Sequence, residues 1–168
     1  CVSYIIASAP GQTAQSSLED LLYLAQKRTL VGLSIYYPAP GSLDYHFCKT
    51  HKILPETFNL MRSTALPLED TTSRIEAITL LRLSRILNFM KHLTETMGTL
   101  PDPESFSNLK IDPLDRQALS VKLLQCFLHD GKIRGIQPSG EVYSHMTDPV
   151  LTQNFIKRIQ TIPIIGIK

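Results

Sequence analysis

One stretch limits the folds open to this chain more than any other: SRIEAITLLRLSRILNFMKHLTETMG, residues 73–98. Both of its ends are marked. Ser73, with Glu76 three residues later, makes a capping box in which each side chain satisfies a backbone N–H that the first turn leaves free. Gly98 stands where a left-handed residue closes a helix, and Pro101 keeps the helix from resuming. Between these signals Ile75, Ile78, Leu80, Leu81, Leu83, Ile86, Leu87, Phe89, Met90, Leu93 and Met97 cover most of the cylinder. Arg82, Arg85, Asn88, His92 and Glu95 recur every three or four residues on one narrow stripe. A helix apolar over so wide an arc is packed by neighbours on two or more sides. Residues 74–97 are therefore expected to form the central core helix.

What surrounds such a helix is bounded by composition. An apolar share of 43% and a charged share of 19% in 168 residues describe a folded chain, as one domain or as two small lobes sharing a core. Basic and acidic residues number five and six in 1–73, four and two in 74–97, and eight and seven in 98–168, so no segment advertises nucleic acid by charge alone. Three cysteines are an odd number and do not make a secreted disulfide framework. No apolar run approaches the roughly 18 residues of a membrane span. The opening VSYIIASA lacks the basic flank of a signal peptide. The expected setting is intracellular, cytoplasmic or nuclear, with no membrane contact. The start at Cys1 and the apolar close IPIIGIK read as a domain of a longer protein. Ile162, Ile164, Ile165 and Ile167 are too apolar for a free end, and are expected to be covered within a sheet or by another chain.

Taken in order, residues 2–9 read as a buried strand broken by Pro10-Gly11. Ser16 and Glu19 read as a second capping box, opening a helix through Leu18, Leu21, Leu22 and Ala25 to about Arg28. Residues 30–37 return to strand character before Pro38. Strand, helix, strand is a β-α-β unit, for which parallel pairing with a right-handed crossover is the norm, an antiparallel arrangement being the alternative. Residues 43–48 read as a short strand or an irregular turn, and residues 55–64 as a short helix. Residues 99–113, with three prolines, are a connector with one helical turn at Glu104–Leu109.

The last third is better punctuated. Asp112-Pro113 is an N-cap followed by a proline at the first helical position, and Leu114, Ala118, Val121, Leu124 and Leu128 mark the buried face of the helix that follows. Asp130-Gly131 ends it. Residues 132–136 and 141–146 form a hairpin around Pro138-Ser139-Gly140. Asp148-Pro149 starts a last helix, with Val150, Leu151, Phe155, Ile156 and Ile159 on one face. Helices closed by a two-stranded wing follow the order of a winged-helix module. LLQCFLHDGKIRGIQPSGEVY, residues 123–143, resembles the C-terminal winged-helix part of PCI-type scaffold subunits, although the long helical-repeat region upstream is replaced here by a β-α-β unit. The resemblance implies a protein-contacting scaffold role, and winged-helix geometry implies DNA reading as the alternative. In that alternative Arg116, Lys122, Lys132 and Arg134 carry the nucleic-acid contacts, a small set that gives weak, salt-sensitive affinity.

Reactive constellations are sparse. Cys48-x2-His51 and Cys126-x2-His129 would together supply four ligands to a tetrahedral zinc, but some 75 residues separate them, and a buried thiol beside an exposed histidine is common without metal. The loop SAPGQTAQSS precedes a helix N-terminus, yet neither phosphate-binding glycine fingerprint is present. No hydrolase motif occurs, so no catalytic residue and no cofactor is assigned. Arg82 and Arg85 on the central stripe, with Ile164 and Ile165 in the tail, are the partner-binding candidates.

The expected fold is α+β: a small N-terminal β-α-β lobe (1–66) packed on a helical body (67–168) that ends in a winged-helix-like helix plus hairpin, the two forming one continuous domain or two lobes. The expected function is a non-enzymatic protein–protein interaction or scaffold domain, whose partner is another protein or the rest of a longer parent chain. The alternatives are a winged-helix nucleic-acid binder, and a small-ligand or nucleotide-binding enzyme domain built on the β-α-β unit, with its ligand at the strand ends near Gly11–Ser17.

Overall fold

The computed structural model describes residues 1–54, 71–106 and 115–167. They form β1 (Val2–Ala7), α1 (Ala14–Ala25), β2 (Leu30–Ile35), α2 (Leu43–Thr50), α3 (Arg74–Met97), α4 (Arg116–Asp130), β3 (Arg134–Ile136), β4 (Val142–Ser144) and α5 (Pro149–Ile159). The fold is α+β with an N-terminal β-α-β unit. The expected helix at 55–64, part of the turn at Glu104–Leu109 and the Asp112-Pro113 start lie outside the described residues.

β1 and β2 pair in parallel, with Val2 opposite Leu30 and Ala7 opposite Ile35. The Leu30 N–H donates to the Cys1 carbonyl at 3.0 Å, and the Tyr36 N–H to that of Ala7 at 2.8 Å. In a parallel ladder this phase aims the even residues of β2 at β1 and turns Val31, Leu33 and Ile35 to the other edge. Asn88 from α3 takes that edge at Val31: its Oδ1 accepts the Val31 N–H and its Nδ2 donates to the Val31 carbonyl, both at 2.8 Å. Parallel sheets are ordinarily covered on both faces. Here Ile5, Ala7 and Val31 are buried toward the helices, whereas Val2, Tyr4 and Ile6 on the opposite face are 45, 77 and 57% exposed. The Tyr4 ring lies across Gly32, where an added Cβ would stand 2.8 Å from it.

α3 forms as its sequence dictates. The Ser73 N–H donates to Glu76 Oε2 at 2.6 Å, the Glu76 N–H returns a bond to Ser73 Oγ at 3.3 Å, and Gly98 closes the helix at φ +80°. α1 and β2 pack on it, as does α5. Leu80, Leu83, Leu87, Met90 and Leu93 are completely buried, each contributing about 1.5–3 kcal/mol as an upper estimate. The apolar cluster joins residues of β1, α1 and β2 to residues of α3, α4 and α5.

The same helix carries a completely buried lysine. Lys91 Nζ donates to the carbonyls of Lys27 at 2.6 Å, Ile165 at 3.0 Å and Ala25 at 3.1 Å. Ala25 and Lys27 lie at the C-terminal end of α1, where unpaired carbonyls and the helix dipole favour a cation. Burial lowers the Lys91 pKa below the ordinary lysine value; the three carbonyl oxygens act in the opposite direction.

Several local expectations give way to tertiary context. Thr13, not Ser16, caps α1, accepting the Ser16 N–H at 3.1 Å, while Glu19 bonds Gln15 and Arg158 on the surface. The helix ends at Ala25. Residues 43–48 are helical, because Ser42 accepts the Tyr45 N–H and Asp44 sits favourably in the first turn. The described part of α4 opens at Arg116 with Asp115 capping Ala118, so Ala118 is exposed and Leu119, Leu124, Phe127 and Leu128 are buried. Val150 is 64% exposed, since the buried face of α5 starts at Leu151. The tail adds no strand: Ile162 and Ile164 pack on the core, and the Ile165 N–H donates to the Ala25 carbonyl at 3.0 Å.

Candidate functional site

α3 and α4 present stripes of identical spacing to one another. On α3 the stripe is Ile78, Leu81, Arg82, Arg85, Ile86 and Phe89; on α4 it is Arg116, Leu119, Ser120, Leu123, Leu124 and Phe127. Positions i, i+3, i+4, i+7, i+8 and i+11 share one helix face. The helices stand apart along these stripes, and Ile133, at the entry to β3, helps floor the gap. The result is a row of three adjoining hollows, of about 350 Å³ beside Arg82, 240 Å³ beside Phe89 and 350 Å³ beside Arg116. The first and second share Arg85, Ile86 and Ile133; the second and third share Ser120 and Leu123.

Among the described residues four arginines line this groove and no carboxylate does. Arg134 is fixed by a fork-like pair to both oxygens of Asp130, and stacks over the Phe106 ring at 4.7 Å. Burial pushes the Asp130 carboxyl up, but Arg134, with the Lys132 N–H and charge, brings it below its ordinary value. The hydrogen bond to Asp130 raises Arg134 against the opposing effect of burial. Arg82 Nη2 donates to His145 Nδ1 at 3.0 Å; arginine has only donors, so His145 is neutral with its proton on Nε2. Burial, then the charge of Arg82, lowers His145. Burial, then the charge of Arg85, lowers Arg82 in turn. Arg85 and Arg116 are exposed, and among the described residues neither guanidinium has a side-chain or backbone acceptor.

The sequence-derived candidates fall as follows. Arg82 and Arg85 line the groove, joined from the nucleic-acid set by Arg116 and Arg134. Lys122 lies roughly 120° round α4 from Arg116 and roughly 100° from Leu123, on the margin of the stripe beside Leu119. Lys132 is exposed in the turn before β3, and its N–H is taken by Asp130. Ile164 is half-buried and packs against the core, and the half-buried Ile165 gives its carbonyl to Lys91. Asn88 faces β2, not solvent. His92 is exposed, and Glu95 instead accepts from the Ile167 N–H at 3.4 Å. Ile86 and Phe89, which the sequence marks only as part of the apolar cylinder, form the groove wall with Leu123 and Ile133, which it does not single out. The signal that finds them is the matched spacing of the two helices with arginine, and no acid, at the edges.

Reactive groups elsewhere are occupied in other ways. Cys48 and Cys126 are buried on α2 and α4, and among the described residues no three His, Cys, Asp or Glu side chains are grouped to hold a metal. Burial raises the Cys126 thiol, the reverse of what a thiolate ligand or nucleophile needs. His51 Nδ1 sits 2.8 Å from the Phe47 carbonyl in its own helix. Tyr36 donates to Asp44, a bond that pushes its phenol up to about 12. At the end of β1, Ser8 is buried at φ +62° with its hydroxyl unpartnered among the described residues; in the turn that follows, Gln12 Oε1 accepts the Ala9 N–H and Thr13 Oγ1 the Ser16 N–H. No protein family model, no curated protein and no solved structure matches this chain.

Proposed function

We propose that this chain is a non-enzymatic interaction domain of a larger assembly, and that the groove between α3 and α4 receives part of another protein. The observation that carries this reading is the pairing of Arg85 and Arg116, two guanidiniums lacking acceptors among the described residues, with an apolar wall of Ile86, Phe89, Leu123 and Phe127. Arginine beside aromatic and aliphatic surface is the composition of interface hot spots. The order of helix, helix, hairpin and helix also fits a winged-helix scaffold. Reading DNA would call for Arg116, Lys122, Lys132 and Arg134 on one face, whereas Lys122 lies roughly 120° round α4 from Arg116.

Two measurements test the reading together. A photo-crosslinking residue placed at Phe89 or Leu123 gives a discrete protein adduct that Arg85→Glu removes, while the same residue at the exposed Phe47 gives none. Duplex DNA, titrated by fluorescence anisotropy at two salt concentrations, binds weakly at physiological salt. Equal adducts at all three positions, or sub-micromolar DNA binding at physiological salt, would overturn the proposal.

A further inference from the structure

Resting on that reading, we propose that the occupant of the groove is an amphipathic α-helix with an acidic polar face. Three features of the groove point to it, and the first is charge. Arg82, Arg85, Arg116 and Arg134 are distributed along the three hollows with no acid among the lining residues. Among the described residues Arg134 alone of the four is paired with a carboxylate, that of Asp130. Arg82 and Arg85 stand at i and i+3 on α3 beside the same hollow, as neighbouring like charges. Carboxylates on the occupant would offset those charges, and guanidinium binds carboxylate bidentately.

The second is the wall. Ile86, Phe89 and Leu123, all half-buried, offer apolar surface over the buried Phe127 that a phosphate backbone cannot cover, so a nucleic acid leaves the floor of the groove unused. A peptide with leucine-like side chains covers it.

The third is the backbone. The walls come chiefly from α3 and α4, whose N–H and C=O groups are bonded within their own helices. Along these two helices an extended segment would find no row of backbone partners, the three-residue β3 at one end being the one strand beside the groove among the described residues, and most of its own polar groups would lose water. A helix satisfies its backbone internally and presents side chains at i, i+3, i+4 and i+7 to a groove between two helices.

The test is peptide display against the full 168-residue chain. The library is randomised peptides of about 16 residues, long enough for four helical turns. The proposal expects convergence on apolar residues at i, i+3 or i+4, and i+7, with Asp or Glu between them. Arg85→Glu should weaken a selected peptide at least about tenfold, equivalent to about 1.4 kcal/mol. Exchanging the peptide's acids for lysine should restore binding to that variant. Ser120→Trp gives a second check, because Ser120 is exposed, lines two of the three hollows and bonds only the Arg116 carbonyl of its own helix. It should abolish binding without lowering the melting temperature. Alternating, strand-like consensus peptides that still compete at Phe89 would overturn the helical occupant and leave the interaction reading standing. Selected peptides insensitive to both variants, or no convergence together with tight DNA binding, would overturn both.

Discussion

Replacing Lys91 by methionine keeps the aliphatic stem that fills the space between α3 and the end of α1, so no cavity of consequence opens. What disappears is the bond to three carbonyls. Ala25 O retains the Ile165 N–H and Lys27 O retains the Thr29 N–H, whereas Ile165 O has no other acceptor bond among the described residues. One orphaned carbonyl costs about 1–3 kcal/mol, and two weakened ones about 0.5–1.5 kcal/mol each. Against these losses, the variant no longer holds a charge away from water, which returns part of the cost. The balance is a destabilisation of about 2–4 kcal/mol, or about 5–12 °C in melting temperature for a chain of this length. Urea unfolding gives the free energy, and hydrogen exchange locates it. The amides of Ile165 and Ile167 should lose protection, because Lys91 and Glu95 are what tie the tail to α3. A variant at least as stable as the parent, with Ile165 still protected, would refute this account of the buried ammonium, since hydrophobic replacement of buried charge is sometimes neutral or favourable.

Two further perturbations probe other joints. Asn88→Leu removes both bonds to Val31 and leaves its N–H and C=O without their partner, for a loss of about 2–5 kcal/mol, with exchange protection falling first along β2; unchanged protection there would argue against the docking. His145, depressed below the ordinary histidine value, binds fewer protons folded than unfolded in the window between the two values. Its contribution is therefore fully present above the unfolded value of about 6.5 and is lost as pH falls through the folded one. His145→Gln, which keeps an acceptor for Arg82, should flatten the decline of melting temperature on acidification from neutral pH; superimposable profiles would count against it.

Much of the architecture was legible because its signals are local. Ser73 with Glu76, Gly98, Asp148-Pro149 and the turn at Pro138–Gly140 act over four residues or fewer, and each stands where its chemistry places it. The β-α-β unit was readable for the same reason: two β-branched, aromatic runs flank an amphipathic one. Local rules compete with each other at Thr13 and Ser16, both of which are competent caps, and the helix starts at the earlier one. Residues 43–48 read as a short strand or an irregular turn because Tyr45 and Phe47 are strand formers; Ser42 decides otherwise by accepting the Tyr45 N–H.

The remainder was hidden because it depends on what long-range packing brings together. Lys91 carries no local signal of its burial, since its acceptors lie 64 to 74 positions away in sequence. Asn88 fell in the polar stripe by periodicity, yet its partner is a strand edge 57 positions away. The groove was half visible: Arg82 and Arg85 marked one wall, but the opposite wall is defined only when α4 turns its own matching stripe toward α3.

The central claim is that the space between α3 and α4 is a binding surface. Methyl spectra of the isoleucine and leucine side chains, recorded while a selected acidic peptide is added, test it most directly. The account predicts that shifts concentrate on Ile86, Leu123, Leu124 and Ile133, with Leu18 and Leu22 of the buried core unmoved. Shifts centred instead on Ile6 at the open face of β1, or spread evenly over the chain, would contradict it.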